Sequence, residues 1–379
     1  MDAYIVEAKR TPIGRAHKDK GIYREVRADE LMAHLLKDFG QRVLSPEKVD
    51  DVMVGCVGQH LEQGKNIARL SSLLAGYPDA VPGVTINRLC ASSLQAFHFA
   101  SQSVALGQNR AVLAGGVEHM HHVPMVAALD YNQELLKRYE FPFTNMGLTA
   151  EKVADQFGIS RQEQDAFAVE SHRKAVVAQK EGYFKAEIVA TPAAGEMIEA
   201  DQGPRATTSM EALADLKTVF KEEGGTVTAG NSSQISDGAS LTLLANKESC
   251  SEFGLKAKAR VVDFAVVGLD PLTMGLGPIP AIQKLLKKQN KTVADIDCFE
   301  LNEAFASQAI ACVRELNLDE SKVNPTGGAI ALGHPLGCTG TRLVATLLNN
   351  LTRLDKEWGV ISMCIGHGQG IATLIQRTS

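Results

Sequence analysis

The chain has 379 residues, 45% hydrophobic and 22% charged, with a formal net charge of -5. That length exceeds one ordinary core, and the composition is that of a folded globular protein, which excludes disorder. So small a charge gives no field to hold nucleic acid.

Residues 2 to 8 read as a strand, so no leader peptide is expected at this end, and no run reaches membrane-spanning length. Seven scattered cysteines with no C-x-x-C pair point to free thiols in a reducing compartment, with cytoplasm as the expected location. After the turn Arg10-Thr11-Pro12-Ile13-Gly14, a helix is predicted from about Ala28 to Phe39, a strand over Val49–Val57 and a helix over Asn66–Leu74. A short strand Val84–Ile86 leads into Asn87-Arg88-Leu89-Cys90-Ala91-Ser92-Ser93 and a helix rich in small residues, then the strand Ala111–Ala114. This alternation predicts an α/β layer with covered strands. Cys90 falls at the helix start, where unpaired N–H groups and the macrodipole favour a thiolate. Taken alone, a cysteine there is an ordinary buried residue.

From His119 to Gly230 strand-like runs are few, and the segment reads as an insertion carrying specificity. Its strongest element is an amphipathic helix over about Arg161–Glu181, opened by Ser160 with Glu163 at capping-box spacing. Glu118, His119, His121 and His122 invite a metal reading, but adjacent histidines lack the i, i+4 spacing of a helical site, and no metal is expected. Leu241–Ala245 returns to strand.

The first pattern then repeats. Arg260–Gly268 stands where the opening strand stood, Pro280–Lys288 is a helix, Ile296–Leu301 matches Val49–Val57, Gly327–Asn349 matches the Cys90 region, and Gly359–Cys364 matches Ala111–Ala114. The expected fold is a duplicated α/β protein with an insertion: residues 1–118 with 234–256, the insertion 119–233, and 257–379. Equivalent loops of both halves then meet at one cleft.

Three motifs in the second half join the cysteine of the first: Asn302-Glu303-Ala304-Phe305-Ala306, Gly327–Gly337 with His334-Pro335 at its end, and Cys364-Ile365-Gly366-His367-Gly368-Gln369-Gly370. In this order they resemble the thiolase family along nearly the whole chain, and Glu118–Met125 is similar to the β-subunit of bacterial fatty-acid oxidation complexes. The resemblance implies an α/β/α/β/α layered fold and ping-pong cleavage of 3-ketoacyl-CoA by coenzyme A. Cys90 is then the nucleophile, whose acyl derivative remains activated. His334 takes its proton, and Cys364 is the acid and base for the enolate of acetyl-CoA. Asn302, through a water, and His334 would form one oxyanion hole, and the N–H groups of Cys90 and Gly366 the other. The implied CoA contacts are Ser233, Met146, Met274 and Phe305, with Arg205 for the phosphates.

The same resemblance implies no permanent cofactor, a homodimer or dimer of dimers, and a multifunctional hydratase/dehydrogenase α-subunit as partner. The rival readings are a biosynthetic acetoacetyl-CoA thiolase and a catalytically silent CoA-binding subunit. Ketosynthases typically pair cysteine with two histidines, or with His and Asn, and lack the second cysteine. Two features depart from the family: His367, where relatives carry Gly or an apolar residue, and a short loop over 192–205. His367 could alter either the acyl pocket or the acidity of Cys364.

Overall fold

The computed structural model describes residues 2–127, 129–139 and 142–378. The first half runs β1 (Ala3–Arg10), β2 (Gly14–Arg15), α1 (Ala28–Arg42), β3 (Asp51–Gly55), α2 (Ile67–Leu74), β4 (Gly83–Ile86), α3 (Ser92–Ala105) and β5 (Ala111–His119). An insertion follows with α4 (Gln133–Arg138), α5 (Met146–Phe157), α6 (Arg161–Lys180), the hairpin β6 (Thr191–Ala193) and β7 (Glu196–Ile198), and α7 (Met210–Ala214). The chain then returns through β8 (Ser236–Ala245) and α8 (Lys247–Phe253). The second half is β9 (Ala259–Gly268), α9 (Pro278–Lys288), β10 (Cys298–Leu301), α10 (Ala306–Glu315), α11 (Ala329–Leu332), α12 (Thr339–Arg353), β11 (Trp358–Ile365) and β12 (Gln369–Arg377).

The main strands lie in the order β10-β11-β12-β9-β1-β8-β5-β3-β4. Read outward from the centre, β1-β8-β5-β3 mirrors β9-β12-β11-β10, so the repeat inferred from element order is a spatial duplication. The halves meet where β1 pairs antiparallel with β9, Ala3 opposite Val261 and Ile5 opposite Ala259. Hydrophobic sequence sets the layers. Leu94, Phe97 and Val104 of α3 and Leu343, Leu347 and Leu351 of α12 share one core with strand residues of both halves. The opposite strand faces are covered by α1 and α2 in the first half and by α9 and α10 in the second. The result is α/β/α/β/α. The two central helices touch because Gly340 has no side chain, since a Cβ there would lie 2.3 Å from the Leu94 backbone nitrogen.

Three expectations change. β8 begins at Ser236, not Leu241, because the polar run Ser236–Ser240 is buried by pairing with β5 and β2. β12 has no counterpart in the sequence reading; it is the strand that makes the halves equivalent. α6 has the foreseen capping box at Ser160 and Glu163, but its buried face is Gln164, Asp165, Ala168, Ser171, His172, Ala175 and Ala178. That face is small and polar because it meets polar partners: Ser171 donates to Glu303 (2.7 Å) and Asp165 accepts from Asn231 (2.9 Å). The insertion also builds no separate core there, since Val153, Ile159, Ala168 and Leu213 pack with Ile310 of α10 and Ile330 of α11.

Candidate active site

The chain leaves β4 in a tight turn that carries Cys90 to the start of α3. Asn87 Oδ1 accepts from the Leu89 N–H (2.8 Å), and Ser92 Oγ accepts from the Arg88 N–H (3.0 Å) while donating to the Leu89 carbonyl (2.6 Å). Leu89 is thereby held at φ 47°, a left-handed conformation that a branched side chain avoids at a cost of order 1–3 kcal/mol. The strain falls on the residue before Cys90. The N–H groups of Gly366 and of Cys90 itself face the Cys90 thiol.

Those N–H groups do not make a resting thiolate. Cys90 keeps some exposed surface, yet the protein around it desolvates the sulfur, and burial pushes the thiol up to about 11 against the pull of the two N–H groups. The thiol thus lies above its ordinary value, contrary to the expectation of a favoured thiolate: α3 starts only at Ser92, and desolvation exceeds the pull of the two N–H groups.

His334 follows α11 through Gly333, whose φ of 107° suits glycine alone. The imidazole is buried. Its Nδ1 lies 2.6 Å from Thr339 Oγ1, and that hydroxyl donates its one proton to the Pro335 carbonyl (2.9 Å). Thr339 therefore accepts from Nδ1–H, which assigns the tautomer and leaves a lone pair on Nε2. Asn302, at the end of β10, donates to that Nε2 through its amide at 3.4 Å. Burial, with the Arg342 charge adding to it, lowers the His334 pKa to about 3, so the ring is neutral at pH 7.

Cys364 is buried near the end of β11, and burial, followed by the neighbouring Cys90, raises its thiol well above the ordinary value. It packs with Met274, Ala304, Met146 and Phe305. Three of the five residues implied for CoA thus gather at one thiol. Ser233 lies beside them, its N–H donating to the Ala304 carbonyl (3.0 Å). Arg205 stands apart: it is exposed, reaches Gln234 Oε1 at 3.3 Å and, desolvated and near Arg15, has a lowered pKa. His367 occupies the turn after Gly366; its charge is not among the groups that act on Cys364.

Buried acids that the sequence reading left without a role hold these loops. Glu118 accepts from the N–H groups of Val57 (2.9 Å), Gly58 (2.9 Å) and Gly337 (2.8 Å) and from Gln63 (3.0 Å), tying the end of β5 to the loop after His334. Glu303 accepts from Ser171 (2.7 Å), Asn324 (2.8 Å) and the Ile330 N–H (3.2 Å), fixing α11. Glu118 is therefore no partner of the neighbouring histidines. Glu62 takes that place, bringing ligand atoms within 4.8 Å of His119 and His122. Those nitrogens are already engaged: His119 Nδ1 accepts from the His122 N–H (3.1 Å), and His122 spans the Arg24 carbonyl (2.9 Å) and Glu62 (3.1 Å).

The motifs imply a nucleophilic thiol in the first half with a base and a second thiol from the other, and the structure sets Cys90 beside Cys364 and His334 beside Asn302. The thiolase N-terminal-domain model matches residues 3–248 and the thiolase C-terminal-domain model residues 255–377. The chain belongs to the thiolase family. Among thiolases it is 48% identical over 385 residues to the 3-ketoacyl-CoA thiolase of Colwellia psychrerythraea, covering 99% of each chain. With the 3-ketoacyl-CoA thiolase of Serratia proteamaculans the identity is 49% over 383 residues, 98% of each chain. The crystal structure of the Bacillus anthracis acetyl-CoA acetyltransferase superposes with a TM-score of 0.90 at 38% identity, over 100% of this chain and 99% of that one.

Proposed function

We propose that this thiolase is a 3-ketoacyl-CoA thiolase, acetyl-CoA C-acyltransferase, that cleaves 3-ketoacyl-CoA with coenzyme A through an S-acyl-Cys90 intermediate. The observation that carries this reading is the Cys90 thiol facing the Gly366 N–H, with Cys364 adjacent and His334 Nε2 unprotonated, its lone pair held only by a long contact to the Asn302 amide at 3.4 Å. Both groups rest uncharged, so the thiol proton leaves as sulfur attacks. In the first step His334 Nε2 takes the Cys90 proton and sulfur bonds to the 3-keto carbon. The C2–C3 bond breaks, and Cys364 gives its proton to C2 of the departing acetyl-CoA enolate. In the second step the Cys364 thiolate takes the proton of coenzyme A, whose sulfur attacks the acyl carbon. Cys90 leaves and recovers its proton from His334. Atoms and protons balance without a permanent cofactor.

The N–H groups of Cys90 and Gly366 would stabilise one oxyanion and the protonated Nε2 with Asn302 the other. Residues 119–233 contribute the CoA and acyl contacts, Met146, Ser233 and Arg205 among them, while Met274 and Phe305 come from the second half, 257–379; residues 1–118 with 234–256 complete the scaffold. We assign the protein to the cytoplasm and to fatty-acid β-oxidation, as a homodimer or dimer of dimers with a hydratase/dehydrogenase α-subunit as partner. Support for self-association is the edge strand β4 with Val84 exposed, near exposed Leu70, Leu73 and Leu74 of α2. No described helix is long and apolar enough to cross a membrane.

Intact-mass analysis after brief exposure to acetyl-CoA or 3-ketohexadecanoyl-CoA without free coenzyme A tests the chemistry. An acyl adduct on the wild type and none on Cys90→Ala is expected. No adduct from either donor on folded wild type would overturn the mechanism.

A further inference from the structure

We infer that His367, with Tyr131 and Phe143, forms the wall of the acyl site that sets how long a chain the enzyme takes. The inference rests on the thiolase reading above. His367 follows Gly366, whose N–H faces the Cys90 thiol, and lies three residues beyond Cys364. The turn is rigid: His367 has φ 62°, Gly368 has φ 78°, and the Gly368 carbonyl accepts from the Leu269 N–H at 2.8 Å. The position of the His367 Cβ is therefore fixed by the same turn that presents Gly366 to the nucleophile, and the ring itself is placed by its contacts to Tyr131 and Phe143.

The insertion runs along this turn. A Cβ at Gly366 would lie 3.2 Å from Leu89 Cδ1 and 3.5 Å from Met146 Sδ. Three residues before Met146, Phe143 sets its ring edge-on to His367 at 5.8 Å, with Tyr139 at 4.6 Å behind it. Tyr131 closes the group: its hydroxyl is 3.3 Å from His367 Nε2, and its ring stands edge-on to the imidazole at 5.9 Å. An acyl chain that leaves Cys90 past Gly366 and Met146 meets these rings next.

The wall is chemically distinctive because its centre is polar. Burial keeps the half-buried imidazole neutral at pH 7, and its hydrogen-bonding edge is engaged by the Tyr131 hydroxyl. A short acyl group stops before this pair. A long one must part Tyr131 from His367 and leave both polar groups against methylenes, a loss that a wholly apolar wall would not impose. The wall therefore selects against long chains.

The test is a series of kcat/KM values for thiolysis of four-, eight- and sixteen-carbon 3-ketoacyl-CoA by wild type, His367→Gly and Tyr131→Phe. Glycine accepts the φ of position 367, and phenylalanine keeps the ring while removing the hydroxyl. The sixteen- to four-carbon ratio should rise by about tenfold in His367→Gly, the scale of one methylene of pocket discrimination, and in the same direction by a smaller factor in Tyr131→Phe. Ratios within about twofold of wild type in both variants would overturn the wall, and Tyr131→Phe alone decides the matter should His367→Gly fail to fold. Failure of the underlying reading looks different: wild type cleaves no chain length and forms no S-acyl-Cys90.

Discussion

Thr339→Val should disable the base without disturbing the fold. The change is nearly isosteric and removes one hydroxyl, which accepts from His334 Nδ1–H and donates to the Pro335 carbonyl. Pro335 does not suffer, because its carbonyl also accepts the N–H groups of Cys338 and Thr339, each at 3.0 Å. The cost therefore falls on His334, which is buried and would hold an unsatisfied N–H worth about 1–3 kcal/mol. The ring can avoid that cost by moving its proton to Nε2, where an amide flip lets Asn302 Oδ1 accept it, but Nε2–H is no base. Either route penalises the working tautomer by the same amount, which corresponds to a loss of roughly 5- to 150-fold in the acylation rate. Rapid-quench intact-mass measurement of S-acyl-Cys90 formation reads this step directly. Substrate KM should move little, and Thr339→Ser should recover most of the rate. Acylation of Thr339→Val at the wild-type rate would show that the tautomer is not set by this hydroxyl.

Two further predictions follow from burial. Carbamidomethylation of Cys90 by iodoacetamide, followed by peptide mass mapping, should rise about tenfold per pH unit from pH 7 to 9, because the reactive thiolate is a minor species below a pKa of about 11; a plateau below pH 8 would contradict the desolvated thiol. Arg10→Met should lower the unfolding free energy in urea by about 3–5 kcal/mol, since Arg10 bridges Glu187 (2.7 Å) and Asp201 (2.6 Å) with all three side chains almost fully buried, and its loss strands two carboxylates; a change below about 1 kcal/mol would mean that water reaches them.

Legibility in the sequence differed by the kind of interaction. The duplication is readable because apolar strands and small-residue helices recur in the same order, and Cys90, Asn302, His334 and Cys364 stand out because each has its own motif; the structure sets Cys90 beside Cys364 and Asn302 beside His334. Thr339 was not readable, since it lies five residues after His334 across a loop and a helix start, a spacing with no periodic signature. Nor was Glu118, whose partners Val57, Gly58, Gln63 and Gly337 come from distant segments. The Cys90 thiol departs from expectation for a related reason: the helix start is local, whereas the desolvation that raises the thiol is supplied by the folded surroundings. In α6 the capping box is local and was legible, while the polar face depends on Glu303 and Asn231 elsewhere in the chain.

The placement of β8 has a consequence for how the molecule is made. Along its whole length β5 pairs with β8, from Ala111 opposite Ala245 to His119 opposite Asp237. On the ribosome, β5 emerges with nine residues that become fully buried, yet the neighbour that covers its edge is translated only after the entire insertion. Until then the nascent first half carries an open apolar margin, a template for association with other chains. Truncation or slowed translation between residues 120 and 235 should therefore deliver chains to chaperones or aggregates rather than a smaller folded unit.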